Sequence, residues 1–254
     1  METLNIKKGG IRYSITKEEN TQEEYLQISE QLVSNLLYNM ALLYKKYSDR
    51  GLDGYELIQG ERQISTLILP SLSKICNGLV LAEVPTTRNC CLKGHEIDNS
   101  TGRIDYWCIY KEYSFVIEAK LSFDAFKTDN TREKVTRRWN TMIFDQLESV
   151  KEDIKYYEEE TMGVIRLGLH FVIPYSDKKP SDDLLKEYKK ILNPDIIDRI
   201  KIDISQEKPS KSTPNIIGYW TFPKNEVLIK EQTFPGIILV AKAFKPIQHK
   251  GSKK

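Results

Sequence analysis

Between residues 21 and 48 apolar side chains recur at Tyr25, Ile28, Leu32, Leu36, Met40, Leu43 and Tyr47, three or four apart. That spacing predicts an amphipathic helix, opened by a capping box at Thr21 and Glu24. Residues 1 to 15 are more polar and read as an arm or a short strand. Gly51 and Gly54 interrupt the helical pattern. A second helical stripe follows over 55 to 76, with Leu57, Ile64, Ile68 and Ile75 inward and Pro70 as a kink point. Residues 79 to 87 predict the first core strand, ending near Pro85, and 88 to 101 a polar loop able to lie over a substrate.

The period then changes from 3.6 to two. Residues 103 to 110 and 113 to 121 are rich in β-branched and aromatic side chains and predict two strands of a hairpin. Two connections keep the acids Asp105 and Glu118 in phase, whereas a three-residue loop would not unless a bulge restored it. A two-residue turn at Lys111 and Glu112 pairs Tyr110 with Tyr113, and so Asp105 with Glu118. A four-residue loop over 111 to 114 pairs Asp105 with Lys120. Lys-Glu is not a favoured tight-turn pair, so the longer loop is expected. In both registers Asp105, Glu118 and Lys120 share one face. Ile117, Ala119 and Leu121 make the other face apolar, so the strand should be covered on both sides.

Beyond the hairpin, Val135, Trp139, Met142, Ile143, Val150 and Tyr157 fall at helical spacing within 131 to 157. Residues 164 to 174 predict a buried strand, in which His170 reads as structural. A helix near 182 to 192 is followed by strand-like runs at 199 to 204, 216 to 222, 226 to 230 and 236 to 244. Residues 208 to 214 read as a loop, and the lysine-rich end as a disordered tail.

Composition narrows the function classes without choosing one. The 254 residues carry a net charge of only +2, which says little about nucleic acid. A local cluster says more: Lys127, Arg132, Lys134, Arg137 and Arg138 lie between the hairpin and the following helix. They fit phosphate contacts, but the interleaved Asp124, Asp129 and Glu133 equally fit a solvated face. No phosphate-binding NTPase loop or serine-hydrolase elbow is present. Cys76, Cys90, Cys91 and Cys108 form no Cys-x-x-Cys. Cys90, Cys91 and His95 are a weak zinc candidate, and Cys108 is expected as a buried thiol. No run is long enough to span a membrane and the amino terminus lacks a signal-peptide core, so a reducing cytoplasm is expected.

Three ionisable groups converging on one patch of sheet suit a divalent metal beside a phosphodiester. Asp105 and Glu118 are hard oxygen donors of the kind Mg²⁺ or Mn²⁺ prefers. Lys120 would orient or deprotonate the attacking water. Ordinary cross-strand ion pairs are the simpler alternative. Two further residues stand where polar groups are unexpected. Glu61 falls on the inward stripe of its helix, and Gln146 lies three after Ile143 and four before Val150.

Together, Gly60-Glu61, Gly102-Arg103-Ile104-Asp105, Val116-Ile117-Glu118-Ala119-Lys120 and Gln146-Leu147 resemble the PD-(D/E)XK nuclease superfamily. The resemblance covers roughly residues 55 to 175 and is closest to the RecB-like and restriction-endonuclease-like branches. Ile104 stands where many members have Pro, and Val150 where the trailing motif has Tyr. The resemblance implies a restriction-endonuclease-like α/β core, αβββαβ, with a mixed sheet flanked by helices. It implies a nuclease core over 51 to 178, an arm and helix over 1 to 50, an α/β extension over 179 to 245 and a disordered tail over 246 to 254. It further implies metal-dependent hydrolysis of DNA, with RNA not excluded, in restriction, repair or mobile-element biology. Catalysis would fall to Glu61, Asp105, Glu118, Lys120 and Gln146. Asp105, Glu118 and Glu61 would hold Mg²⁺ or Mn²⁺, and a homodimer remains open. The alternative is a non-catalytic module that keeps the fold and binds nucleic acid or a protein.

Overall fold

Helix α1, Glu24–Ser48, forms where the apolar stripe predicts it and buries Ile28, Leu32, Leu36 and Met40. Its start differs from the expected capping box. Glu23 occupies the N-cap with no side-chain cap, so the helix begins later than a Thr21 cap requires. The computed structural model of the protein describes residues 2–8, 11–17, 23–52, 54–88, 91–92, 95–96, 100–125, 129–148, 150, 161–175, 213–222, 227–229, 232–234 and 236–247. The helix expected at 182 to 192, the strand at 199 to 204, the helical stretch 151 to 157 and the tail from 248 lie outside these residues.

The other elements follow in chain order. A hairpin of β1 (Glu2–Lys8) and β2 (Ile11–Lys17) precedes α1, and a 3-10 turn at Gly54–Leu57 leads into α2 (Glu61–Ile75). Next come β3 (Val80–Arg88), the short pair β4 (Cys91–Leu92) and β5 (His95–Glu96), then β6 (Ser100–Tyr110) and β7 (Tyr113–Ala125). Helix α3 (Asp129–Asn140) continues directly into a π-helical turn, Thr141–Leu147. The chain closes with β8 (Val164–Tyr175), β9 (Ile216–Thr221), β10 (Val227–Ile229), β11 (Gln232–Phe234) and β12 (Gly236–Ala243).

Among the described residues eight strands form one mixed sheet in the order β1-β2-β9-β12-β8-β7-β6-β3. Among the described strands only β7 and β8 pair in parallel, as the α3 crossover between them requires. The protein is thus α/β, with helices on a mixed sheet. Residues expected as a carboxy-terminal extension lie inside that sheet: β12 sits between β8 and β9. The arm at the amino terminus is a hairpin that completes one edge, where β2 pairs with β9.

β7 is covered on both faces, as its sequence implies. Phe115, Ile117 and Leu121 join Leu167, Leu169 and Phe171 of β8 under α1 and α2. On the opposite face Trp139, Met142, Ile143 and Leu147 pack on Val172, Ile217, Ile238 and Val240. Near the strand starts Val116 meets Val84, Ile104, Val150 and Val164. Ile247, expected within the disordered tail, bridges Val164 through backbone hydrogen bonds of 3.3 and 3.0 Å.

One local expectation, the hairpin connection, is corrected. The hairpin takes the tight turn: Tyr110 pairs with Tyr113, and Lys111 adopts a left-handed φ of 50°. A left-handed φ at that position suits the primed turns that match strand twist, so backbone twist outweighs side-chain preference here. Pro70 sits inside α2, which runs on to Ile75.

Candidate functional site

The sheet forks at Asp105. The β6–β7 ladder ends at Tyr106 opposite Ile117. Upstream, β6 stays with β3 as far as Ser100 opposite Arg88, while β7 stays with β8 to Ala125 opposite Tyr175. The ladder with β3 is broken at the same level, since Ala82 pairs with Tyr106 and Val84 with Ile104. Glu83, between them, takes a φ of 54°, which is costly for a residue with a Cβ. Asp105 therefore stands at a ladder break on both flanks.

Its side chain replaces the missing ladder bond. The backbone N–H of Ala119 donates to Asp105 Oδ2 at 2.8 Å. Ala119 lies between Glu118 and Lys120, so one hydrogen bond brings the Asp105 carboxylate beside both. Glu118 is fully buried, whereas Asp105 and Lys120 are half-buried. A buried carboxylate is costly unless partners or a cation offset its charge.

Glu61 is placed differently from expectation. It is not on the buried stripe of α2; it is the helix's first residue and 51% exposed. The 3-10 turn takes up 54 to 57 and Gly60 is extended, so α2 starts six residues later than the pattern suggested. An acid in the first turn is favoured by the helix dipole. Glu61 nevertheless reaches the fork. Its Oε1 lies 3.6 Å from Nη1 of Arg138, on α3. Arg138 Nη1 also donates to the carbonyl of Leu121 on β7. Arg138 thus links α2, β7 and α3.

Tyr106 reports the same convergence. Its hydroxyl lies 2.6 Å from Ser65 Oγ, one turn along α2 from Glu61. Burial pushes the phenol up to about 12; the Ser65 bond opposes this, and the charges of Asp105, Glu83 and Glu61 add to it. All three acids lie within electrostatic reach of that hydroxyl.

The parallel register gives Lys120 a neighbour in His170, which the sequence reads as structural without showing this pairing. Lys120 pairs with His170, and paired residues point to the same face. His170 is fully buried, stacked on Trp139 at 6.2 Å and 10°, with Nε2 2.9 Å from Ser122 Oγ. Burial lowers its pKa to about 3, aided by the positive charges of Arg138 and Lys120. The imidazole is therefore neutral at physiological pH. Its position two after Gly168, on the face of an otherwise apolar strand, was the available signal.

Gly168 pairs with Glu118 and explains how the π-turn approaches. A Cβ there would meet Ile143 Cδ1 and Met142 Cε at 3.0 Å and Leu147 Cδ1 at 3.1 Å. Gln146 belongs to that turn and is half-buried, with its side-chain oxygen Oε1 enclosed on the packed face that its spacing implied. Arg166 Nη1 holds the Leu147 carbonyl at 3.0 Å and stabilises the end of the turn.

Of the basic cluster, Lys134, Arg137 and Arg138 are exposed on α3. Lys127 and the side chain of Arg132 lie outside the described residues, as does Cys90 of the zinc candidate. Among the described residues no three His, Cys, Asp or Glu side chains are grouped to hold a metal ion unaided. None of the helices among them is long and apolar enough to cross a membrane. Compared with family models, curated proteins and solved structures, the chain finds no match.

Proposed function

We propose that the protein is a metal-dependent nuclease of the restriction-endonuclease-like class, with its centre at the fork between β6 and β7. The observation that carries this reading is the Asp105–Ala119 hydrogen bond. It sets two carboxylates and a lysine around one backbone position at a deliberate break in the sheet. The element order α2–β3–β6–β7–α3–β8 agrees with the αβββαβ plan that the sequence resemblance implies.

The donors fit Mg²⁺ or Mn²⁺. Such ions use one or two carboxylates and complete their shell with water and substrate phosphate. Asp105 and Glu118 would be the protein ligands, with Glu61 able to join once released from Arg138. A bound ion would polarise the phosphoryl oxygen and make a nearby water more acidic.

The chain's own residues do the rest. Lys120 faces the same side as Glu118 and would orient the attacking water and offset charge in the transition state. The neutral His170 beside it adds no competing positive charge. Lys134 and Arg137, exposed on α3, would contact backbone phosphates without reading sequence. Gln146 would act from the π-turn behind Glu118.

A second reading has its own support. Glu118 is closed off from solvent and Glu61 is held by Arg138, as in a fold that keeps the residues but binds without cutting. Incubating the purified protein with supercoiled plasmid and linear duplex in Mg²⁺, Mn²⁺ or EDTA separates the two. Cleavage that needs the metal supports the nuclease. Retention of DNA without any cleavage supports the binding module.

A further inference from the structure

Arg138 forms an ion pair with one of the three candidate metal-binding carboxylates, Glu61, at 3.6 Å. Its surroundings give that pair a purpose beyond a surface contact. Arg138 comes from α3 on one side of the sheet, and Glu61 from α2, packed on the other. They meet beyond the point where the β6–β7 ladder ends, at Tyr106 opposite Ile117. The same guanidinium is tied to the Leu121 carbonyl, one residue beyond Lys120. Arg138 also lies close enough to His170 to help hold it neutral. Both partners are about half exposed, at 52% and 51%, so the pair sits at the mouth of the fork where water and ions reach it.

We infer that Arg138 is a built-in counter-ion for the metal-free site, holding Glu61 until a divalent cation displaces it, and then turning to a substrate phosphate. The inference rests on the nuclease reading and deepens it. Two cations cannot share Glu61 cheaply, because each raises the cost of the other. A metal that recruits Glu61 must break a weak, solvent-exposed pair, the kind that is readily exchanged. The released guanidinium stays anchored on α3 beside Lys134 and Arg137. Its fork of donors matches a phosphate oxygen pair better than a lysine would. Metal and nucleic acid would then each favour the state that the other binds.

The test is a calorimetric titration of Mn²⁺ into the full-length wild type, Arg138→Ala, Arg138→Lys and Asp105→Ala, with a thermal melt of each, with and without Mn²⁺. Arg138→Ala should melt lower without metal, since the link between α2, β7 and α3 is gone. It should bind Mn²⁺ more tightly than wild type, by up to about fivefold, the most that an exposed pair contributes. Arg138→Lys should lie between the two. A merely structural arginine gives the opposite metal result: Arg138→Ala binding Mn²⁺ equally or more weakly would overturn the inference while leaving the nuclease reading standing. Wild-type Mn²⁺ binding that Asp105→Ala leaves untouched would overturn both. Should Arg138→Ala fail to fold, Arg138→Lys decides alone, because an affinity no tighter than wild type sinks the idea.

Discussion

Asp105 Oδ2 and the Ala119 N–H, 2.8 Å apart, hold β6 and β7 together at the point where their ladder ends. Because Ala119 is flanked by Glu118 and Lys120, this bond is both a structural tie and the link that assembles the site. Asp105→Ala removes the tie and is expected to cost about 1.5–3 kcal/mol, as for a hydrogen bond to a charged acceptor. Relief of repulsion from Glu118 offsets part of that. Asp105→Asn keeps an acceptor for Ala119 and should stay closer to wild type. Urea melts of the two variants check the order, and equal losses would argue against the tie.

Gly168 allows the π-turn to sit on β8 beside Glu118. Gly168→Ala introduces a methyl against three side-chain ends at 3.0–3.1 Å. These ends are flexible, so overpacking should cost only about 1 kcal/mol. The turn carrying Gln146 should move outward in response. A denaturant melt measures the cost, and cleavage assays test whether displacement of the turn lowers the rate.

His170 gives a pH dependence of definite sign. Its folded pKa of about 3 lies below the unfolded value of about 6.5. The unfolded chain therefore binds more protons between these values, and stability falls as pH drops through 6.5 toward 3. The slope from this one group approaches about 1.4 kcal/mol per pH unit. His170→Gln, which does not titrate, should flatten the stability profile between pH 6.5 and 5, above the main carboxylate range. An unchanged slope in that variant would show that His170 is not buried in the neutral form.

These groups were unequally legible in the sequence. Alternation along 113 to 121 already implied that Glu118 and Lys120 share a face and that β7 is covered on both sides. The hairpin register was not legible, because the turn depends on Lys111 tolerating a left-handed backbone. Glu61 was picked out as an acid on an inward stripe, yet it stands in the first turn of α2. A periodic pattern cannot tell a 3-10 turn followed by a new start from one continuous helix. His170 and Arg138 needed tertiary register. Lys120 and His170 are fifty residues apart and meet through the parallel β7–β8 ladder. The central place of β12 also depends on sheet order, which alternation within one strand does not encode.

The exposed cations of α3 should act on affinity and not on chemistry. Lys134→Ala and Arg137→Ala are each expected to lower DNA affinity similarly for unrelated sequences. Each should reduce the slope of log affinity against log salt by about 0.9, one phosphate contact for a duplex. Fluorescence anisotropy over a salt series measures this in EDTA, where no cleavage interferes. Unchanged slopes would return these side chains to an ordinary solvated helix face.

The central claim is that Asp105, Glu118 and Lys120 form one metal-dependent hydrolytic centre. Its most direct test is the single-turnover rate of supercoiled plasmid cleavage in Mn²⁺ by wild type, Asp105→Asn and Lys120→Ala, each shown to be folded. The expected result is metal-dependent cutting by wild type, abolished by EDTA. Asp105→Asn should lose it together with Mn²⁺ binding, and Lys120→Ala should lose most of the rate while still binding Mn²⁺. Folded Asp105→Asn and Lys120→Ala proteins that cut at the wild-type rate, or a wild type that binds the plasmid and never cuts it, would contradict the claim.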